Sequence, residues 1–229
     1  MYSFYKDVIE YKGNLLVRGI HEGEEFKEKV NFRPTLYAIT QNKTNHKTLQ
    51  GQYLKPITFD SIYKCRDFKR NYTNSSAPLY GNDRYHFQYI AKNYPSDVQF
   101  DKNLIKIFTL DIEVTAEKGF PDVENPIEEI LCLTIKNQSN KNIITWGTKP
   151  FFTKRPDVTY IECQSEKQLL MEFFKFWTKN YPDIITGWNT KFFDLPYLCN
   201  RIKYLVGDKV INKLSPWGLI EQEQITVRG

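Results

Sequence analysis

Residues 104–114 read LIKIFTLDIEV and residues 185–202 read ITGWNTKFFDLPYLCNRI. In the first stretch large apolar residues alternate with polar ones, so a strand with one buried face is expected over 104–112. Side chains alternate along a strand, so Leu110, Ile112 and Val114 share one face and Asp111 and Glu113 the other. In the second stretch, residues 183–188 (DIITGW) are expected as a strand. Asp194 then opens a helix that tolerates Pro196 in its first turn. Leu195, Leu198, Ile202 and Leu205 form the expected apolar stripe of that helix.

Working outward, residues 129–136 and 142–146 read as two more strands joined by a polar QSNK turn. Ser165 and Gln168 make a capping box, followed by Leu169, Leu170, Phe173, Phe174 and Trp177 at helical spacing. The order β-β-β-α-β-α predicts a mixed sheet carrying helices. The first hundred residues read mostly as short strands. Residues 2–9 and 14–20 flank a Lys12-Gly13-Asn14 turn, and residues 24–30 and 35–40 follow as strands. Asp60 caps a helix over 61–71 whose Lys64, Arg66, Lys69 and Arg70 are expected to make a positive face. Asn74, Ser75, Ser76 and Pro78 mark a loop, and residues 85–91 (YHFQYIA) are expected as a strand. The fold class is α/β, or α+β over the whole chain, with a β-rich domain over 1–103 and a mixed-sheet domain over 104–229.

Composition narrows the function classes. The chain has 229 residues, 41% of them hydrophobic and 15% aromatic, enough for packed cores rather than disorder. Mean hydropathy is −0.54 and no apolar run is long enough to span a bilayer. The start, MYSFYKDVIEYKGN, has no continuous apolar segment and is not a secretory signal. Cys65, Cys132, Cys163 and Cys199 stand too far apart for a zinc ribbon or a redox pair. Cys132 and Cys199 read as small core residues, and all four as free thiols of a cytoplasmic protein. Net charge is +5, and the excess lies in the first half, with 16 basic against 11 acidic residues over 1–103. That bias fits a phosphate-facing surface or ordinary solvated charge.

The chemistry sits in the carboxylates. Asp111 and Glu113 repel one another on a shared face, and a divalent cation relieves the repulsion. Carboxylate oxygens suit Mg²⁺ or Mn²⁺. The plain alternative is an acidic pair on a solvated strand. Asp194 is a third acid, with helix capping as its plain alternative. If the 183–188 strand lies beside the 104–112 strand, the three acids converge into a site for two-metal phosphoryl transfer. Asn189 is a candidate to bind substrate or orient Asp194, or else forms a turn. Phe120, in the turn-rich Gly119-Phe120-Pro121-Asp122, is a candidate to stack on an unpaired base, or else packs on its own loop. Phe193 reads first as core and stands as a further substrate contact. No Gly-rich phosphate loop or nucleophile–histidine triad competes.

FTLDIEV followed by GFPD, and then ITGWNTKFFDLPYLCNRI, resembles the first two exonuclease motifs of the family B DNA polymerases, in the T-even-like phage branch. Residues 34–40, 59–70 and KLSPWGLI (213–220) are similar to the same branch, so the resemblance covers nearly the whole chain. It implies a polymerase N-terminal domain followed by a ribonuclease-H-like 3′–5′ exonuclease. Asp111, Glu113 and Asp194 are then metal ligands, with Asn189 and Phe120 meeting the frayed primer end. The implied partners are single-stranded or primer-template DNA, or RNA, and the rest of a polymerase in cis or trans, with no membrane. The family's third motif, with its Tyr and further Asp, does not occur before Gly229. A fragment or split-polymerase subunit, weak or inactive as a nuclease alone, is therefore expected. A nucleic-acid-binding or polymerase-docking module without catalysis is the alternative.

Overall fold

In the computed structural model, which describes residues 3–72, 77–117 and 119–221, Lys12 and Gly13 both take positive φ, 47° and 74°. Two such residues make the tight turn whose twist matches a right-handed hairpin. They join β1 (Phe4–Tyr11) to β2 (Asn14–His21). Glu22 and Gly23, at 52° and 90°, repeat the device before β3 (Glu24–Val30). The result is an antiparallel β1-β2-β3 sheet.

After it come β4 (Thr35–Ile39), β5 (His46–Lys47), β6 (Tyr53–Thr58), α1 (Ile62–Tyr72), β7 (Leu79–Tyr80) and α2 (Tyr85–Asn93). The second sheet is ordered β5-β6-β4-β7. Val8, Leu15, Val17, Phe32, Leu36, Ile62, Cys65 and Tyr85 pack together as the core of this unit, which runs from Met1 to Lys102. The loop expected at Asn74, Ser75 and Ser76 lies outside the described residues.

Two expectations for this unit are corrected. Residues 85–91 belong to a helix and not a strand. Tyr85 and Tyr89, one helical turn apart, both pack on the core, so a 3.6-residue period overrode the β preference of the aromatics. Among the described residues the expected positive face of α1 is charge-balanced, because an acid answers each of its bases. Lys64 pairs with Asp60 at 2.6 Å, Arg66 with Glu10 at 2.6 Å and Lys69 with Asp83 at 2.9 Å, and Arg70 pairs with Asp67.

The second unit, Asn103–Gly229, is built on β8 (Ile107–Val114), β9 (Ile130–Asn137), β10 (Ile143–Gly147), β11 (Val158–Glu162) and β12 (Ile184–Thr186). Its helices are α3 (Glu166–Lys179), α4 (Asp194–Val206) and the single turn α5 (Asp208–Ile211). Among the described residues the sheet order is β11-β10-β9-β8-β12. β8, β9 and β10 run antiparallel, while β11 is parallel to β10 and β12 is parallel to β8. The half-exposed edge strand β11 carries no strong period-two signal and escapes the sequence reading.

Ser165 caps α3 by accepting from the Gln168 N–H at 3.3 Å. Gln168 reaches back to the Gln164 N–H, one residue before the capping-box target. One sheet face, with Phe108, Leu110, Ile112, Leu133, Ile135 and Trp146, packs with Leu169, Leu170, Phe173 and Trp177 of α3 and Leu198 and Ile202 of α4. Each such side chain contributes about 1.5–3 kcal/mol on burial. In α4 Leu198 and Ile202 of the expected stripe are buried and Leu195 packs against the core, with Tyr197 and Arg201 buried beside them, while Leu205 is exposed. Cys65 and Cys163 are buried, whereas Cys132 and Cys199 are only half-buried. No helix among the described residues is long and apolar enough to cross a membrane.

Candidate active site

β8 is a central strand with an incomplete neighbour. β12 pairs with it only through Ile184–Ile107, Ile185–Phe108 and Thr186–Thr109. Beyond Thr186 the edge of β8 still presents the Leu110 carbonyl and the Ile112 N–H, and buried backbone groups need partners. The chain after β12 supplies them from side chains. Thr190 Oγ1 donates to the Leu110 carbonyl at 3.4 Å, and Asp194 Oδ1 accepts from the Ile112 N–H at 3.1 Å. The approach is close enough to require glycine at 187. A Cβ there would stand 2.0 Å from Thr190 Oγ1 and 2.6 Å from the Leu110 oxygen.

Asp194 is therefore the first residue of α4 rather than its cap. Phe193 holds the cap position and makes no side-chain cap bond. The Asp194 carboxylate is spent on β8, where it is 3% exposed. Burial pushes its pKa up, the Ile112 N–H opposes that, and the Asp111 charge adds to the rise.

Asp111 and Glu113 are exposed on the polar face of β8, opposite Thr134 and Cys132 of β9. Burial raises the Cys132 thiol, and the charges of Glu113 and Asp111 raise it further. Cys132 belongs to this acidic face and not to the core. Its likeness to an apolar residue misleads because it occupies the outward phase of an otherwise apolar strand.

Asn189 takes φ 56°, a left-handed conformation that asparagine tolerates. Its carbonyl accepts from the Phe192 and Phe193 N–H groups at 2.9 Å each, so its backbone forms the turn, while the residue remains exposed. Phe120 is 82% exposed and meets the half-buried Phe193 ring at 5.0 Å between centroids. Phe193 in turn lies 5.5 Å from Tyr197. The structure joins Phe120 and Phe193 in one aromatic ladder on α4. Trp188, 93% exposed beside Asn189, went unremarked in the sequence because periodicity does not reveal exposure. The buried Glu166–Arg201 ion pair also went unremarked, since no local pattern links residues 35 apart.

The donor set of Asp111, Glu113 and Asp194 is all hard oxygen, which fits Mg²⁺ or Mn²⁺, cations held through one or two carboxylates plus water and substrate phosphate. Among the described residues no group of three or more His, Cys, Asp or Glu side chains stands at metal-holding spacing. Asp194 is bonded to the N–H of Ile112, the residue between Asp111 and Glu113, and those two share one face of β8.

Residues 53–228 match the family model for the DNA polymerase family B exonuclease domain. The chain is 26% identical over 253 aligned residues to the DNA-directed DNA polymerase of Enterobacteria phage T4, covering 98% of this chain and 28% of that protein. It is 27% identical over 245 residues to that of Escherichia phage RB69, covering 94% and 27%. Over 108 residues it is 35% identical to the DNA polymerase delta catalytic subunit of Candida albicans, covering 44% and 10%. The chain spans little more than a quarter of the length of the two phage relatives.

Proposed function

The chain belongs to the family B DNA polymerase exonuclease-domain family, and from that premise we propose that its second unit is the 3′–5′ proofreading part of a DNA polymerase. The reaction is hydrolysis of the terminal phosphodiester of an unpaired 3′ end. Residues 1–103 are assigned as the polymerase N-terminal domain and 104–229 as the exonuclease domain. The observation that carries the reading is at the β8 edge, where buried Asp194 accepts from the N–H of Ile112, the residue between Asp111 and Glu113.

Each residue then has a task. Asp111, Glu113 and Asp194 would hold Mg²⁺ or Mn²⁺, which when bound supplies charge stabilisation to a phosphodiester under attack. The Ile112 N–H fixes the Asp194 carboxylate before any ligand arrives. Phe120 stacks on the terminal base, backed by Phe193. The exposed Asn189 side chain offers a donor and an acceptor to the strand. DNA is the substrate, and the remaining polymerase domains, in cis or trans, are the partners.

The test is a 3′-end cleavage assay on single-stranded DNA with Mn²⁺, run beside Asp111→Ala and paired with urea unfolding with and without Mn²⁺. Mn²⁺ should raise the unfolding midpoint of the wild-type chain, and Asp111→Ala should lose both that rise and any cleavage. An Asp111→Ala chain that keeps both would refute the assignment.

A further inference from the structure

The connection from β8 to β9 is long and irregular, and it carries Phe120. Thr115 closes its neck. Its N–H donates to the Glu129 carbonyl at 2.9 Å, its hydroxyl donates to Glu128 Oε2 at 2.7 Å, and the Glu129 N–H donates to the Thr115 Oγ1 at 2.9 Å. Such a loop has few internal partners for its backbone, yet its carbonyls are satisfied one after another from a single helix. Asn200 Nδ2 donates to the Val123 carbonyl at 2.9 Å. Arg201 Nη1 donates to the Pro126 and Ile127 carbonyls, both at 2.9 Å. The Tyr197 hydroxyl donates to the Glu128 carbonyl at 2.7 Å.

These residues lie three, six and seven positions after Asp194, so Tyr197 and Arg201 continue the helix face that begins with that acid and Asn200 flanks it, one turn after Tyr197. At a rise of 1.5 Å per residue they stand within about 10 Å of it along the helix axis. One rigid element therefore delivers Asp194 to β8 and grips the loop that bears Phe120. Near its start it also touches Phe120 through Phe193.

We infer that Tyr197, Asn200 and Arg201 are positioning residues for the terminal base: by clamping the 119–130 loop to α4 they set Phe120 at a fixed station relative to Asp194. This inference rests on the exonuclease reading above. It assigns the clamp a task in substrate geometry beyond holding the unit together, and it predicts that releasing the clamp acts through Phe120.

The experiment combines Tyr197→Phe with Asn200→Ala in the full chain. The first change keeps the ring contact with Phe193 and removes only the hydroxyl, and the second removes only the bond to Val123. Arg201 is left in place so that the unit stays folded, as urea unfolding checks. Binding is read with an oligonucleotide carrying 2-aminopurine at its 3′ end, in the wild-type and Phe120→Ala backgrounds. Amide exchange is read over residues 119–128.

Two lost hydrogen bonds are expected to weaken end binding about five- to tenfold in the wild-type background and to change nothing once Phe120 is gone. Exchange in the loop should speed up about tenfold, with β8 to β10 unchanged. Equal losses in both backgrounds, or unaltered loop exchange, would overturn the positioning role. The two readings fail separately. A wild-type chain that binds a 3′ end no better than a closed single-stranded circle sinks the exonuclease reading and the positioning role with it. A normal end preference that does not couple to Phe120 sinks the positioning role alone.

Discussion

Replacing Arg201 with methionine tests whether the buried ion pair holds the second unit together. Arg201 forms a bidentate pair with Glu166, with Nε to Oε1 at 2.8 Å and Nη2 to Oε2 at 2.6 Å, and both residues are buried. Glu166 Oε1 also accepts from the Ile130 N–H at 2.8 Å. Methionine fills much of the volume but strands the Glu166 charge and the Pro126 and Ile127 carbonyls. Removing one partner of a buried pair costs about 3–5 kcal/mol. Glu166→Gln alone keeps an oxygen for Ile130 and should cost about 1–3 kcal/mol. With the charge already gone, the double variant should fall short of the sum by at least about 1 kcal/mol. All four tryptophans, Trp146, Trp177, Trp188 and Trp217, lie in the second unit, so urea unfolding followed by tryptophan fluorescence reports that unit alone. A loss below about 1 kcal/mol for Arg201→Met, the range of an exposed pair, or strict additivity in the double variant, would refute the reasoning.

Two further outcomes follow from the site. Burial, with Asp111 adding, raises the Asp194 carboxyl, so the folded state binds its proton more tightly than the unfolded chain does. The ionised group then costs stability near neutrality, and the cost fades as pH falls through the raised folded pKa. Asp194→Asn keeps an oxygen for the Ile112 N–H, so its stability relative to wild type should be more favourable at about pH 7 than at about pH 4, and an equal difference at both would contradict this. Phe120→Ala should weaken binding of an unpaired 3′ end by about 1–3 kcal/mol while leaving the urea midpoint nearly unchanged, because the ring is 82% exposed; a matching loss of stability would show that Phe120 is a packing residue.

Much of the second unit was legible because its signals are local. The alternation in FTLDIEV placed Asp111 and Glu113 on one face, and the register with β9 bears that out. The Ser165–Gln168 signal located the start of α3 within a residue. The apolar stripe of α4 holds at Leu195, Leu198 and Ile202 and fails at Leu205, while the buried Arg201 is hidden from any local pattern because its partner lies 35 residues away. The YHFQYIA helix was misread for a related reason: Tyr and Phe favour strands in isolation, and the inward packing of Tyr85 and Tyr89 reverses that preference.

By itself, the sequence determined which residues carry charge, which stretches alternate and where helices start, because these depend on neighbours along the chain. That sufficed to name Asp111, Glu113 and Asp194 as one candidate set. Only the tertiary structure decided what each of them does at rest. Asp194 is drawn to the Ile112 N–H because β12 stops three residues into its pairing with β8, and an unfilled strand edge in a buried place must find a partner. The bases of α1 found counter-charges for the same kind of reason, since acids such as Glu10 and Asp83 reach them only once the chain has folded. Charge and periodicity can be read along the chain, whereas burial and partnership depend on residues that the fold brings together.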